Sequence, residues 1–199
     1  MALLNVFAGR CAVPSVKGRC IAGLVLVTLL FWAGPQAFAQ ATVSREYQIK
    51  AVFLFNFTQF VDWPSGAFAN PRAPLVIGVL GDDPFDGFLD DTVRGEKMNN
   101  HPLVVRRYRR VNEIEDCQVL FIGRTESRRL GRILAALKGR NILTVGDMEG
   151  FSRDGGVIRF VVENNRIRFR INVDAADAAH LTISSKLLRL AQITSPGKH

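Results

Sequence analysis

Residues 75–80 read LVIGVL, apolar at every position, and this stretch decides the fold. A strand with one face in water alternates apolar and polar residues, so a short unbroken apolar run belongs to a strand covered on both faces. Similar runs recur at regular intervals, at Leu103 to Val105, Val119 to Ile122 and Ile142 to Val145. Between them lie helical candidates at about Phe85 to Thr92 and Glu126 to Lys138. Apolar strands alternating with helices predict a parallel sheet sandwiched between helical layers.

Beyond residue 155 the pattern changes to period two. In Arg166 to Val173, the residues Ile167, Phe169, Ile171 and Val173 alternate with Arg166, Arg168, Arg170 and Asn172, which is a strand with one buried face. Asn164-Asn165 suits a two-residue hairpin turn because Asn tolerates positive φ. That turn sets Val162 opposite Ile167, Phe160 opposite Phe169 and Ile158 opposite Ile171, with every apolar pair on one side. Gly155-Gly156 frees the backbone to enter the hairpin. A final helix is expected near Ser184 to Gln192, with Ile183, Leu187, Leu188 and Ala191 as its apolar stripe. Gln40 to Thr42 and Ser195 to His199 read as unstructured ends.

Upstream of the sheet, a helix is expected from Ser44, its N-cap, to about Val61, stopped by Trp63-Pro64. Tyr47, Ala51, Leu54, Phe55 and Thr58 lie on one face, with Phe53, Phe57 and Phe60 on the flank. An apolar surface this wide needs cover on more than one side. Still further upstream, Arg10, Lys17 and Arg19 precede the apolar run Ile21 to Trp32, which breaks at Gly34-Pro35 before Ala37-Phe38-Ala39. The run is shorter than the roughly 20 residues of a membrane span, and the small residues suit a signal peptidase. Residues 1–39 therefore read as a cleaved signal peptide that sends the protein to the periplasm, the alternative being a retained anchor.

Cleavage would leave 160 residues, 40–199, enough for one domain with an ordered core at about 45–192 and too few for a two-lobed solute receptor. The expected class is α/β: a single three-layer domain, mostly parallel sheet with a C-terminal antiparallel hairpin and a closing helix. Losing three leader cations lowers the formal charge from +8 to +5. An exported basic protein meets acidic proteins, anionic lipids or cell-wall polymers, and nucleic acid is not an expected partner. Cys11 and Cys20 leave with the leader. Cys117 alone remains, unable to form an internal disulfide and read as a small buried residue.

Several segments, taken in order, resemble the YfiR family of periplasmic proteins. They are Lys50 to Phe57 running into Phe60-Val61-Asp62-Trp63-Pro64, then Ile77 to Gly81, Cys117 through Gly123, Gly155 to Phe160, Ile171-Asn172, and Ile183 to Ala191. The resemblance implies a repressor that binds the periplasmic sensor region of an inner-membrane diguanylate cyclase and so controls cyclic-di-GMP, biofilm and motility. It also implies sequestration by an outer-membrane peptidoglycan-binding lipoprotein, and a homodimer. Some members carry several cysteines and respond to redox state, which a chain with Cys117 alone puts in doubt.

No reaction-bearing constellation stands out. His101, His180 and His199 lack a neighbouring His or Cys at metal-binding spacing, so neither a metal nor a cofactor is expected, and the protein is not expected to be an enzyme. In an open parallel sheet, ligands sit outside the carboxyl ends of strands at a topological switch point. Asp82, Asp83, Phe85, Arg124 and Asp147 fall at those ends and form the candidate ligand crevice of a small-molecule sensor, the alternative to a protein-contact regulator. Asp82 and Asp147 can equally be turn caps. On the outer face of the hairpin, Arg159 opposes Arg170, with Arg166 and Arg168 beside them. This stripe reads either as a solvated basic face or as a docking surface for an acidic partner.

Overall fold

The computed structural model describes residues 34–194, with side chains from Arg45 onward, and the chain divides into units 1–42 and 43–199. The expected leader, residues 1–39, and the tail 195–199 fall largely outside the described residues. Helix α1 spans Gly34–Phe57. Its start lies well before the expected Ser44, because no breaker separates Gln36 from Ser44, and Ser44 and Gln40 to Thr42 are consequently helical. Its end comes four residues before the expected Val61. The amides of Thr58, Gln59 and Phe60 turn back to the carbonyls three residues earlier, and the Thr58 hydroxyl donates to the Phe55 carbonyl at 2.6 Å. This tightening into 3₁₀ geometry is a common way to close a helix.

Val61 is thereby released to form β1 (Val61–Asp62). The chain continues through β2 (Leu75–Leu80), α2 (Phe88–Val93), β3 (Lys97–Met98), β4 (His101–Tyr108) and β5 (Val119–Ile122). Then follow a 3₁₀ segment (Arg124–Arg129), α3 (Leu130–Leu137), β6 (Leu143–Gly146), the hairpin β7 (Ile158–Glu163) and β8 (Arg166–Asn172), and α4 (Val173–Ala178). The last elements are β9 (Thr182–Ile183), α5 (Ser185–Leu188) and β10 (Gln192–Thr194). Eight strands form one sheet in the order β10-β8-β7-β6-β5-β2-β4-β3, while β1 pairs antiparallel with β9. The long C-terminal helix expected from Ser184 to Gln192 is only α5. Gln192 to Thr194 instead join the sheet parallel to β8.

The four central strands β4, β2, β5 and β6 are parallel, as the unbroken apolar runs require. Along each, alternate residues feed two cores. Ile77, Val79, Phe121 and Val145 meet α1, α2 and α5 on one face. Val76, Leu80, Leu120 and Ile122 meet Leu130, Ile133 and Leu137 of α3 on the other. The hairpin has the expected register, with Phe160 opposite Phe169 and Arg159 opposite Arg170, and both turn residues Asn164 and Asn165 have positive φ of 50° and 58°. Phe53 and Phe57 of α1 pack edge-on and stacked against Phe160 and Phe169. The Phe-rich helix thus finds cover within one chain.

Candidate functional site

A charged cluster lies at the carboxyl end of β6, under the stretch of α1 from Glu46 to Lys50. Asp147 follows the last residue of β6 and its carboxylate is buried. Tyr47 and Lys50, three residues apart on one face of α1, both reach it. The Tyr47 hydroxyl donates to Oδ2 at 2.8 Å and Lys50 Nζ donates to the same oxygen at 2.5 Å. Arg124, which opens the segment after β5, donates Nε to Oδ1 at 3.0 Å. Lys50 also pairs with Glu46 Oε1 at 2.5 Å, as an ion pair without hydrogen-bond alignment, and its ammonium lies 4.2 Å from the centre of the Tyr47 ring.

Two cations thus meet two carboxylates, and the cluster is formally neutral. Burial pushes the Asp147 carboxyl up, but the Arg124 hydrogen bond, the Lys50 charge and the Tyr47 hydroxyl outweigh it and hold it below the ordinary value of 3.8. Burial, followed by the Asp147 charge, pushes the Tyr47 phenol well above its usual range. A carboxylate saturated by three donors and kept ionised is unsuited to moving protons at neutral pH. Chemically the arrangement is a staple that fastens α1 across the strand ends.

Of the five residues expected in the strand-end crevice, Arg124 and Asp147 come together. Asp83 instead accepts from Arg107 Nε at 2.8 Å and from the Phe85 amide at 2.8 Å. Phe85 is buried, edge-on to Tyr47 and Phe121. Asp82 is exposed, with its amide 3.3 Å from the Thr125 hydroxyl. Sequence reasoning passed over Glu46, Tyr47 and Lys50. The available signal was Lys50 itself, a charge beside Tyr47, Ala51 and Leu54 on an apolar helix face.

Two other concavities have different chemistry. At the amino ends of β2 and β4, a cavity of about 500 Å³ is lined by Trp63, Phe68, Met98 and His101, with Asp62 as its one formal charge. His101 stacks on Phe68 with ring centroids 3.9 Å apart. Its Nδ1 is 2.6 Å from the Ala73 carbonyl, an acceptor only, so Nδ1 carries the proton. Trp63 is half-buried and donates Nε1 to the Gln118 carbonyl at 3.2 Å. The second is an open recess of about 540 Å³ beside the hairpin, lined by Glu163, Asn164, Arg166, Arg168 and Gln192.

Cys117 is buried against the carbonyl of Val119, 3.1 Å from Sγ, and burial pushes its thiol up to about 12. Among the described residues, no three His, Cys, Asp or Glu side chains are grouped to hold a metal ion. None of the described helices is long and apolar enough to cross a membrane.

The fold defines a mostly parallel α/β domain closed by an antiparallel hairpin, and its most buried charges fasten one helix to the sheet. The model of the YfiR/HmsC-like family matches residues 47–192, almost all of the second unit, and the chain belongs to that family. Comparison with curated proteins finds no match. The family is regulatory rather than catalytic, and membership indicates a periplasmic regulator of diguanylate cyclase signalling that interacts with a membrane diguanylate cyclase.

Proposed function

We propose that this protein represses an inner-membrane diguanylate cyclase by binding that enzyme's periplasmic region, after export directed by residues 1–39. The observation that carries the reading is the family match over residues 47–192. The staple supports it: the position where an open parallel sheet ordinarily takes a small molecule is occupied by Tyr47, Lys50 and Phe85 of the chain itself. Control then rests on contact between proteins. An outer-membrane peptidoglycan-binding lipoprotein that competes for this protein would lift repression, and a homodimer would present two copies of the contact surface. Deleting the gene should raise cellular cyclic-di-GMP. Complementation should succeed with the full chain and fail with a chain lacking residues 1–39. Unchanged cyclic-di-GMP on deletion would overturn the reading.

A small-ligand sensor is the second reading, favoured by the cavity at Trp63 and His101 rather than by the strand ends. A ligand there that prefers one state would shift partner affinity by its differential binding. Its support would be a small molecule that raises the melting temperature of wild type and not of His101→Ala.

A further inference from the structure

Helix α3 covers the second face of the sheet at β2 and β5. Toward the hairpin edge no helix among the described residues covers that face, and the residues pointing outward are Arg159, Val161 and Glu163 from β7, Arg166, Arg168 and Arg170 from β8, and Gln192 from β10. Glu163 is opposite Arg166 in register, yet its carboxylate pairs with Arg170 Nη2 at 3.3 Å, and Gln192 bridges Arg170 and Glu163 at 2.9 and 3.3 Å. Among the described residues, Arg159, Arg166 and Arg168 form no ion pair. Arg159 Nε is in addition buried without any hydrogen-bond acceptor. Burying a charged donor without an acceptor is unfavourable, so Arg159 gains from negative charge brought close to its guanidinium.

We infer that this face binds an extended, acidic segment of a protein partner, with carboxylates at alternate positions received in turn by Arg166, Arg168 and Arg159. The inference rests on the regulatory reading above and names the surface that reading needs. Alternate residues of β8 are spaced about 6.7 Å apart, and a segment in extended conformation carries its same-side groups at the same interval. Guanidinium forks match carboxylates in geometry, with two donors to two oxygens. A flat anionic membrane fits less well, because Glu163 stands inside the row and would face the lipid phosphates.

The test uses protein purified from cells expressing the full chain. Two labelled peptides of equal composition, one alternating Glu and Thr and one with the Glu residues in a block, are titrated at low salt, as is the purified periplasmic region of the cyclase. The alternating peptide should bind more tightly than the blocked one. Arg166→Glu with Arg168→Glu should weaken both the alternating peptide and the cyclase region by tenfold or more, and should flatten the salt dependence. Arg166→Gln with Arg168→Gln, milder in its effect on folding, should show the same direction. Unchanged affinity in either folded double variant overturns the inference. So does capture of phosphatidylglycerol vesicles, and not of peptide, by the wild type. Should the double variant still repress the cyclase as wild type does, the stripe fails and the regulatory reading stands; should wild type itself not repress, the regulatory reading fails.

Discussion

Replacing Asp147 by Ala tests whether the buried cluster fastens α1 to the sheet. Lys50 is 1% exposed. Without Asp147 it keeps only Glu46, while Tyr47 loses its acceptor and Arg124 loses its partner. Removing one member of a buried pair costs about 3 to 5 kcal/mol, chiefly because the other charge is stranded. For a domain of this size, 1 kcal/mol corresponds to roughly 2 to 4 °C, so the melting temperature should fall by about 6 to 20 °C. Urea unfolding gives the free energy directly. Lys50→Met together with Asp147→Leu should be less damaging than Asp147→Ala, since no buried charge is then left alone. Arg124→Ala should cost at most about 1 kcal/mol, because its side chain is 63% exposed and water screens the loss. The sign with pH follows from the depressed carboxyl. Its contribution is complete above the ordinary value near 3.8 and is lost as pH falls through the lower folded value, so titration from pH 7 to 5 should leave the gap between wild type and Asp147→Ala unchanged. A destabilisation under 1 kcal/mol for Asp147→Ala would refute the staple.

Gly156→Ala should destabilise by about 1 to 3 kcal/mol or more in urea unfolding, because a Cβ there would lie 2.1 Å from the buried ring of Phe151. Thiol labelling at pH 8 should be slow for native Cys117 and fast in denaturant, given burial and a thiol pushed up to about 12, and Cys117→Ser should keep partner binding under oxidising and reducing conditions alike. Trp63→Ala should cost about 2 kcal/mol, less than the 3 to 5 of a fully buried ring, since Trp63 is half-buried and loses one hydrogen bond to Gln118.

The parts of the fold that repeat a simple period were legible in the sequence. Unbroken apolar runs gave the central parallel strands, and alternation around Asn164-Asn165 gave the hairpin's register to the residue, although Val173, expected in the second strand, opens α4 instead. Two misreadings share a cause, which is tertiary pairing overriding local pattern. Val61 continues the apolar rhythm of α1 but pairs with Ile183, and Gln192 ends an apparently helical stripe but pairs with Arg170. Of the candidate site, the meeting of Arg124 with Asp147 was legible from sheet topology. The share of Tyr47 and Lys50 was not, because they come from a helix about 100 residues away in sequence whose docking only the folded chain reveals.

The most direct measurement is cyclic-di-GMP synthesis by membrane vesicles that carry the cyclase with its periplasmic region accessible, with and without this protein added to that side. Synthesis should fall in a saturable way as protein is added, and a cyclase lacking its periplasmic region should not respond. Synthesis that stays constant at protein concentrations well above that of the cyclase would contradict repression by periplasmic contact.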